Sequence, residues 1–403
     1  MTVNNNMPDI RFSGFSENWV EKKIESVLTE ENRNITLIDD ESYELVTVKR
    51  RNQGVVSRGF LNGKDILVKN YFKVRAGDFL ISKRQVIHGA NGIVPSCLDK
   101  AIVSNEYLVI GDNKEIKTEF WALIARRPEM YEKFFLSSYG VDIEKMVFDV
   151  FDWKTRDVVI PGIDEQTAIS NFFKNIDQNI TLSRRKYEKT QTLKNVLLSK
   201  MFPKAGENQP EIRLKGFSGN WFESKLGDIS NTFSGGTPSV GYSDFYGGKI
   251  PFIRSGEISS YTTSLFLTEE GLMNSSAKLV DKGNILYALY GATSGEVSIS
   301  NINGAINQAI LAIIPFKEYN TEFVSYWLRR DKYRIIDTYL QGGQGNLSGD
   351  IIKNLVLKIP SKLQEQTAIG NFFKKLDETL ALQAKQLKAL ENLKKALLAK
   401  MFV

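Results

Sequence analysis

"EQTAISNFFKNID", residues 165–177, returns near the end of the chain as "EQTAIGNFFKKLD", residues 365–377. Extended to Phe202 and Phe402, the two copies agree at 18 of 38 positions with a constant offset of 200, closing on "LLSKMF" and "LLAKMF". Ungapped agreement of that kind is internal duplication. A second match, offset by 202, pairs "PDIRFSGFSENWVEKKI" from Pro8 with "PEIRLKGFSGNWFESKL" from Pro210, so the two halves begin alike and end alike. Between these ends the likeness thins. "HGANGIV" from His88 is similar to "YGATSGEV" from Tyr290, and "TEFWALIARR" from Thr118 to "TEFVSYWLRR" from Thr321. A period near 200 residues is far longer than a solenoid repeat, so each half is a domain plus a shared element.

The shared element is predicted as a long helix. Phe173, Ile176, Ile180, Tyr187, Leu197 and Met201 follow Ile169 at helical spacing, as do Phe373, Leu376, Leu380, Leu387, Leu390, Leu397 and Met401 after Ile369. Lys194 and Lys394 fall in apolar slots beside Leu193 and Leu393, a local slip that implies a nearly straight pair and not an ideal supercoil. A helix of this length would be roughly 55 Å long and too long to be stable alone, so each copy needs the other. Pro161 and Pro360 precede the starts, Pro203 closes the first copy, and "PKAGENQP" (203–210) reads as a linker. Short β-type runs ("YELVTVKR", "DFLISKR", "NILYALYG") and one helix-like run per half, 120–138 and 322–340, make the interiors α+β. The expected division is 1–160, 161–202, 203–210, 211–359 and 360–403.

At 403 residues and 42% hydrophobic content the chain can bury proper cores. It has no leader-like N-terminus and no apolar run long enough for a bilayer, so a cytoplasmic, non-membrane protein is expected. A single cysteine and a single histidine exclude disulfides within the chain and His- or Cys-cluster metal sites, and Cys97 is expected to be a buried small residue. The net charge is +6 with a pI of about 9.0. The long segments from Phe172 and Phe372 carry fourteen basic residues against five acidic ones, so the basic excess lies on the helices. Such a face is often only solvated surface, but two copies attached to globular domains favour contact with a polyanion.

Within the globular regions "TVKRRNQG" (47–54) and "SKRQVIHGANG" (82–92) mix cations with amides and glycines, a mixture suited to base edges. Lys49, Arg50, Arg51, Lys83, Arg84, Gln85 and His88 are the candidate DNA contacts of the first half. The second half offers Thr237, Ser239, Tyr242, Lys249, Arg254, Tyr290 and Thr293, fewer charges and more hydroxyls. If both halves read DNA, they read different words. Catalytic constellations are missing: no phosphate loop, glycine groups "GGTPS" and "GGQGN" (342–346) without dinucleotide-site spacing, and only a loose P-D…E-x-K pattern at Pro8, Asp9, Glu21 and Lys23, with an echo at Glu223 and Lys225. No cofactor and no metal is expected on this chain.

Together the paired "P-[DE]-I-R…G-F-S-x-N-W" openings, "GGTPS", "YGGKIPFIRSGEI", "YGATSGEV", "INQAILAI" (306–313) and the "EQTAI-x-NFF" helices resemble the specificity (S) subunits of Type I restriction-modification systems, over essentially the whole chain. The resemblance implies two target-recognition domains, 1–160 and 211–359, each reading half of a bipartite DNA target in the major groove. They would be separated by two spacer helices, 161–202 and 360–403, paired as an antiparallel coiled coil with pseudo-twofold symmetry. It further implies a non-catalytic subunit bound to double-stranded DNA, two modification (M) subunits and restriction (R) subunits, with S-adenosylmethionine and ATP on those partners only. Phe172, Phe173 and Ile176 with their counterparts Phe372, Phe373 and Leu376 would serve helix packing and M-subunit docking. A different reading remains open: a standalone DNA-binding or adaptor protein that dimerises through its helices.

Overall fold

The computed structural model describes residues 6–68, 70–340 and 346–403; the "GGQGN" glycines fall outside them. The chain forms two compact units, Met1–Leu182 with Leu387–Val403 and Ser183–Gln386. Two helices of 38 residues each, Ile163–Lys200 and Leu363–Lys400, are the longest elements, and each contributes one end to either unit. The first begins two residues after Pro161 and the second three residues after Pro360.

The frames of the two units match. In unit 1 strand Val20–Lys23 runs antiparallel to Asp157–Ile160, and in unit 2 Phe222–Lys225 runs antiparallel to Val356–Ile359. Each ladder thus ties the start of a half to the strand that enters its long helix. Both units hold an antiparallel four-stranded sheet, Thr29–Glu30, Tyr107–Gly111, Phe79–Ser82, Asn91–Ile93 in one and Ser230–Ser234, Ile310–Pro315, Ile285–Ala288, Val297–Ile299 in the other. Each also has a mixed sheet with one parallel strand pairing, Leu45 beside Ile102 in the first and Phe252–Ile253 beside Ala305–Ile306 in the second. The α+β expectation holds, with strands Ser42–Lys49, Phe79–Ser82 and Ile285–Ala288 on the three β-type runs.

The repeated motifs recur together because they touch. Arg11 of the first opening donates Nε and Nη2 to both oxygens of Glu165 at 2.7 Å, with the Glu165 side chain only 3% exposed. Arg213 meets Glu365 in the same way at 2.8 Å. Gln166 and Gln366 donate to the carbonyls of Pro161 and Pro360, and accept from the backbone of Lys117 and Asn320. Trp19 packs edge-on against Phe402 and Phe120, and Trp221 against Phe202 and Phe323, so each Met-Phe ending plugs a core built by one opening. Arg127 lies over the Phe402 ring and Arg330 over Phe202, each donating to a carbonyl just beyond, Val403 or Pro203. The one mismatch in "EQTAI[SG]NFF" has a steric cause: a Cβ on Gly370 would come within 2.6 Å of Asn320 Oδ1 and 2.8 Å of Glu322 Cβ. Ser170 in the first copy has room to donate to the Gln166 carbonyl.

Three expectations need correction. The pattern does not slip at Lys194 and Lys394: Leu193 and Leu393 are both exposed, and the lysines themselves turn inward. Lys394 pairs with Asp177 at 2.5 Å inside unit 1, and Lys194 pairs with Asp377 inside unit 2. A charge occupies the apolar slot because an opposite charge waits there. The helix-like run 120–138 is two helices, Thr118–Ile124 and Pro128–Leu136, because Pro128 supplies no N–H to continue the first. Its counterpart Thr321–Leu340 is unbroken. Cys97 is exposed, on the short turn Ser96–Leu98. Among the described residues no helix is long and apolar enough to cross a membrane.

Removing one partner of a buried ion pair strands the other charge in the interior. Glu165→Ala should therefore lower the stability of unit 1 by about 3–5 kcal/mol, and Glu365→Ala should do the same in unit 2. Chemical denaturation followed by tryptophan fluorescence measures both; a loss below 1 kcal/mol in either would remove the pairs from their structural role.

Candidate nucleic-acid interface

In unit 1 two separate basic stretches become one surface. The turn Arg50–Gln53 joins strands Ser42–Lys49 and Gly54–Asn62, and both Arg51 and Asn52 take left-handed backbone angles, φ 58° and 54°. Such angles are costly for residues with a Cβ and persist only when neighbours impose them. Three hydrogen bonds impose them here: Arg51 N donates to the His88 carbonyl at 2.7 Å, Asn52 N to the Gly89 carbonyl at 2.9 Å, and Asn52 Nδ2 to the Tyr131 hydroxyl at 3.0 Å. Gly89 must be glycine, since φ is 73° and a Cβ would lie 2.1 Å from the Tyr131 hydroxyl.

The pinned turn places Arg50 beside Gln85. Arg50 Nε donates to Gln85 Oε1 at 2.7 Å and Nη2 to Glu144 Oε2 at 2.8 Å. His88 Nε2 stands 3.7 Å from the other oxygen of Glu144, buried and without a hydrogen-bond partner. Glu144 arrives on the turn Ile143–Lys145, between the two-residue strands Ser138–Tyr139 and Val147–Phe148, far from the basic stretches in sequence. The remaining candidates are spread around this cluster. Lys49 and Arg51 are exposed; Lys83 Nζ donates to the Asn105 carbonyl at 2.8 Å, and Arg84 Nε to Glu106 at 2.6 Å. Lys23 of the loose nuclease pattern is engaged with Asp157 at 2.9 Å.

Unit 2 presents a different surface on the same frame. Thr237, Ser239 and Tyr242 share one loop, held by Tyr246 donating its hydroxyl hydrogen to the Pro238 carbonyl and by a Thr237–Gln308 hydrogen bond. Tyr242 and Lys249 are exposed, whereas Tyr290 is half-buried against the unit's core and Thr293 is fixed by its carbonyl accepting from Glu296. Arg254 is engaged locally: Nε and Nη2 donate to Glu257, both at 3.1 Å, and Nη2 also reaches the Ser264 hydroxyl at 2.7 Å. The Arg254 guanidinium, with Ser264 adding hydrogen bonds against the opposing effect of burial, pulls the Glu257 carboxyl down to about 2. Of the helix residues, Phe173, Ile176 and Phe373 are buried in the two cores, and Phe172, Phe372 and Leu376 pack half-buried against them.

Residues 218–392, spanning most of unit 2 and the second long helix, match the family model of the Type I restriction modification DNA specificity domain. That stretch is similar to a DNA specificity domain. Over 195 residues it is 26% identical to the Type I restriction enzyme MjaIX specificity subunit of Methanocaldococcus jannaschii, and over 152 residues 28% identical to the HindI specificity subunit of Haemophilus influenzae. Those alignments cover 46% and 35% of this chain, and the chain spans 44% and 32% of the two relatives' lengths. The fold extends the likeness over nearly the whole chain. The S subunit of a Type I system from M. genitalium superposes with a TM-score of 0.62 at 16% identity, covering 98% of this chain and 99% of that one. The HsdS subunit from Thermoanaerobacter tengcongensis gives 0.50 at 18%, covering 95% and 96%.

Sequence reasoning found Arg50 and Arg254 but missed Glu144 and Glu257, the acids that hold them. Glu257 is depressed from 4.5 to about 2, so its stabilising contribution is complete above pH 4.5 and disappears as the pH falls through about 2. Glu257→Gln should flatten the acid dependence of unit 2 stability between those values. Denaturation midpoints at pH 5 and pH 2.5 measure it, and an unchanged pH slope in the variant would rule out the Arg254 pair as its source.

Proposed function

We propose that the chain is the DNA sequence-recognition (specificity) subunit of a Type I restriction-modification complex, each unit reading one half of a bipartite target. The observation that carries this reading is that the DNA specificity domain match falls on one of two copies of a single frame. The copies agree in their packing residues and differ in the loops that frame presents. Two readers on one repeated scaffold suit a target of two unlike half-sites.

The chain contributes recognition and position, with no catalytic role of its own. Adenine methylation with S-adenosylmethionine and ATP-dependent cutting would belong to M and R subunits docked on the shared elements. The two long helices would act as an antiparallel spacer. Asp177 with Lys394 and Asp377 with Lys194 support that arrangement, because one antiparallel register satisfies both pairs.

Four residues added to the middle of both helices, at Leu182 and at Gln386, leave each Asp–Lys pair intact while lengthening the spacer by about 6 Å, close to two base-pair rises. Methyladenine mapping in cells co-expressing an adenine-methyltransferase partner should then show unchanged half-sites around a spacer about two base pairs longer. Altered half-sites with an untouched spacer would overturn the spacer reading, and a protein that holds a specific site equally well without any methyltransferase would favour a standalone binder.

A further inference from the structure

Arg50, Gln85, His88 and Glu144 form a constellation that nothing in the repeated frame requires. They come from three separate segments, and the corresponding turn of unit 2 carries Tyr290 in the place of His88. Two non-glycine residues in left-handed conformations hold the arginine turn against the His88 turn, which is backbone strain concentrated at one surface. The Arg50 and Glu144 side chains are 50% and 53% exposed, so the pair is open to a ligand from outside.

A guanidinium has five N–H donors in a rigid fork. Gln85 takes the one on Nε, and Glu144 takes one on Nη2. Three donors on the two terminal nitrogens are left, enough for the parallel pair of hydrogen bonds that matches O6 and N7 of guanine. A flexible arginine would lose rotamer freedom on making that contact; one already held at Nε and Nη2 loses less. The second oxygen of Glu144 faces the His88 ring, 3.7 Å from Nε2.

We propose that Arg50 reads a guanine in the half-site of unit 1 and that Glu144, with Gln85, is the positioning residue that aims it. This deepens the DNA-recognition reading and rests on it. The carboxylate acts through Arg50, so its loss relaxes one base pair and leaves the rest of the site alone. A bidentate arginine–guanine contact discriminates by about 5- to 150-fold, so the effect is large enough to see in a motif.

The experiment maps methyladenine in cells expressing the full chain with its methyltransferase partner, as wild type, Glu144→Ala, Glu144→Gln and Arg50→Lys. The expected result is a bipartite motif in the wild type. Glu144→Ala and Arg50→Lys should relax it by about tenfold or more at one G·C pair of one half-site. Glu144→Gln, which still accepts from Arg50, keeps most of the discrimination. If Glu144→Ala abolishes methylation outright, Arg50→Lys decides, because it keeps the charge and the fold but cannot form the paired contact. An unaltered motif in both Glu144→Ala and Arg50→Lys overturns the proposal and leaves the function standing. Absence of any bipartite motif in the wild type overturns the function, and the proposal with it.

Discussion

The bidentate contact between the opening arginine and the helix-starting glutamate, Arg11 to Glu165 and Arg213 to Glu365, is the constraint on which the rest of each unit depends. It joins an arm that would otherwise be loose to the first turn of a 38-residue helix. With that joint made, Trp19 and Trp221 are delivered to the cores, and the Met-Phe endings have something to close against. A buried pair of this kind adds little net stability, since desolvation offsets most of the attraction. Its value is selectivity: any alternative docking of the arm leaves a carboxylate or a guanidinium buried without a counter-charge.

The two units use this frame with unequal reinforcement. In unit 2 Asp377 accepts from the Tyr326 hydroxyl at 2.8 Å and from Arg329 at 3.1 Å, besides its pair with Lys194. Burial, followed by the Asp377 charge, pushes the Tyr326 phenol up, so it stays a donor throughout the physiological range. The position matching Tyr326 in unit 1 is Leu123, and Asp177 there is held by Lys394. The opening arginines differ as well. Arg213 Nη1 donates to the Gly219 carbonyl, which a φ of 89° turns towards it; Glu17 stands at the matching place in unit 1, and Arg11 Nη1 is left without a partner.

What the sequence disclosed follows the same division. The long helices were legible because an amphipathic period written twice is a local property. The α+β interiors were legible as alternation and turns. Lys194 and Lys394 misled because a periodicity argument weighs apolarity one helix at a time, whereas their inward position is set by Asp377 and Asp177 on the other helix. The break at Pro128 inside 120–138 is a local signal, yet the apolar pattern on both sides of it reads as one helix. Glu144 left no local trace: its significance is a tertiary contact with Arg50, 94 residues away. The Arg–Glu joints did leave one, since charged residues kept in both copies of a packing frame have a reason to face each other.

The same chemistry, arginine with glutamate, therefore does two opposite jobs in this molecule, and burial separates them. Glu165 is 3% exposed, so exchanging its partner for anything else costs the desolvation of an unpaired charge, and the contact is fixed. Glu144 is 53% exposed, where an ion pair is worth only about 0–1 kcal/mol. A contact that weak cannot hold a fold together, but it can orient a side chain and still leave its remaining donors open. The duplicated frame supplies the rigidity that these exposed loops lack, and so the loops could diverge between the two copies while the frame stayed the same.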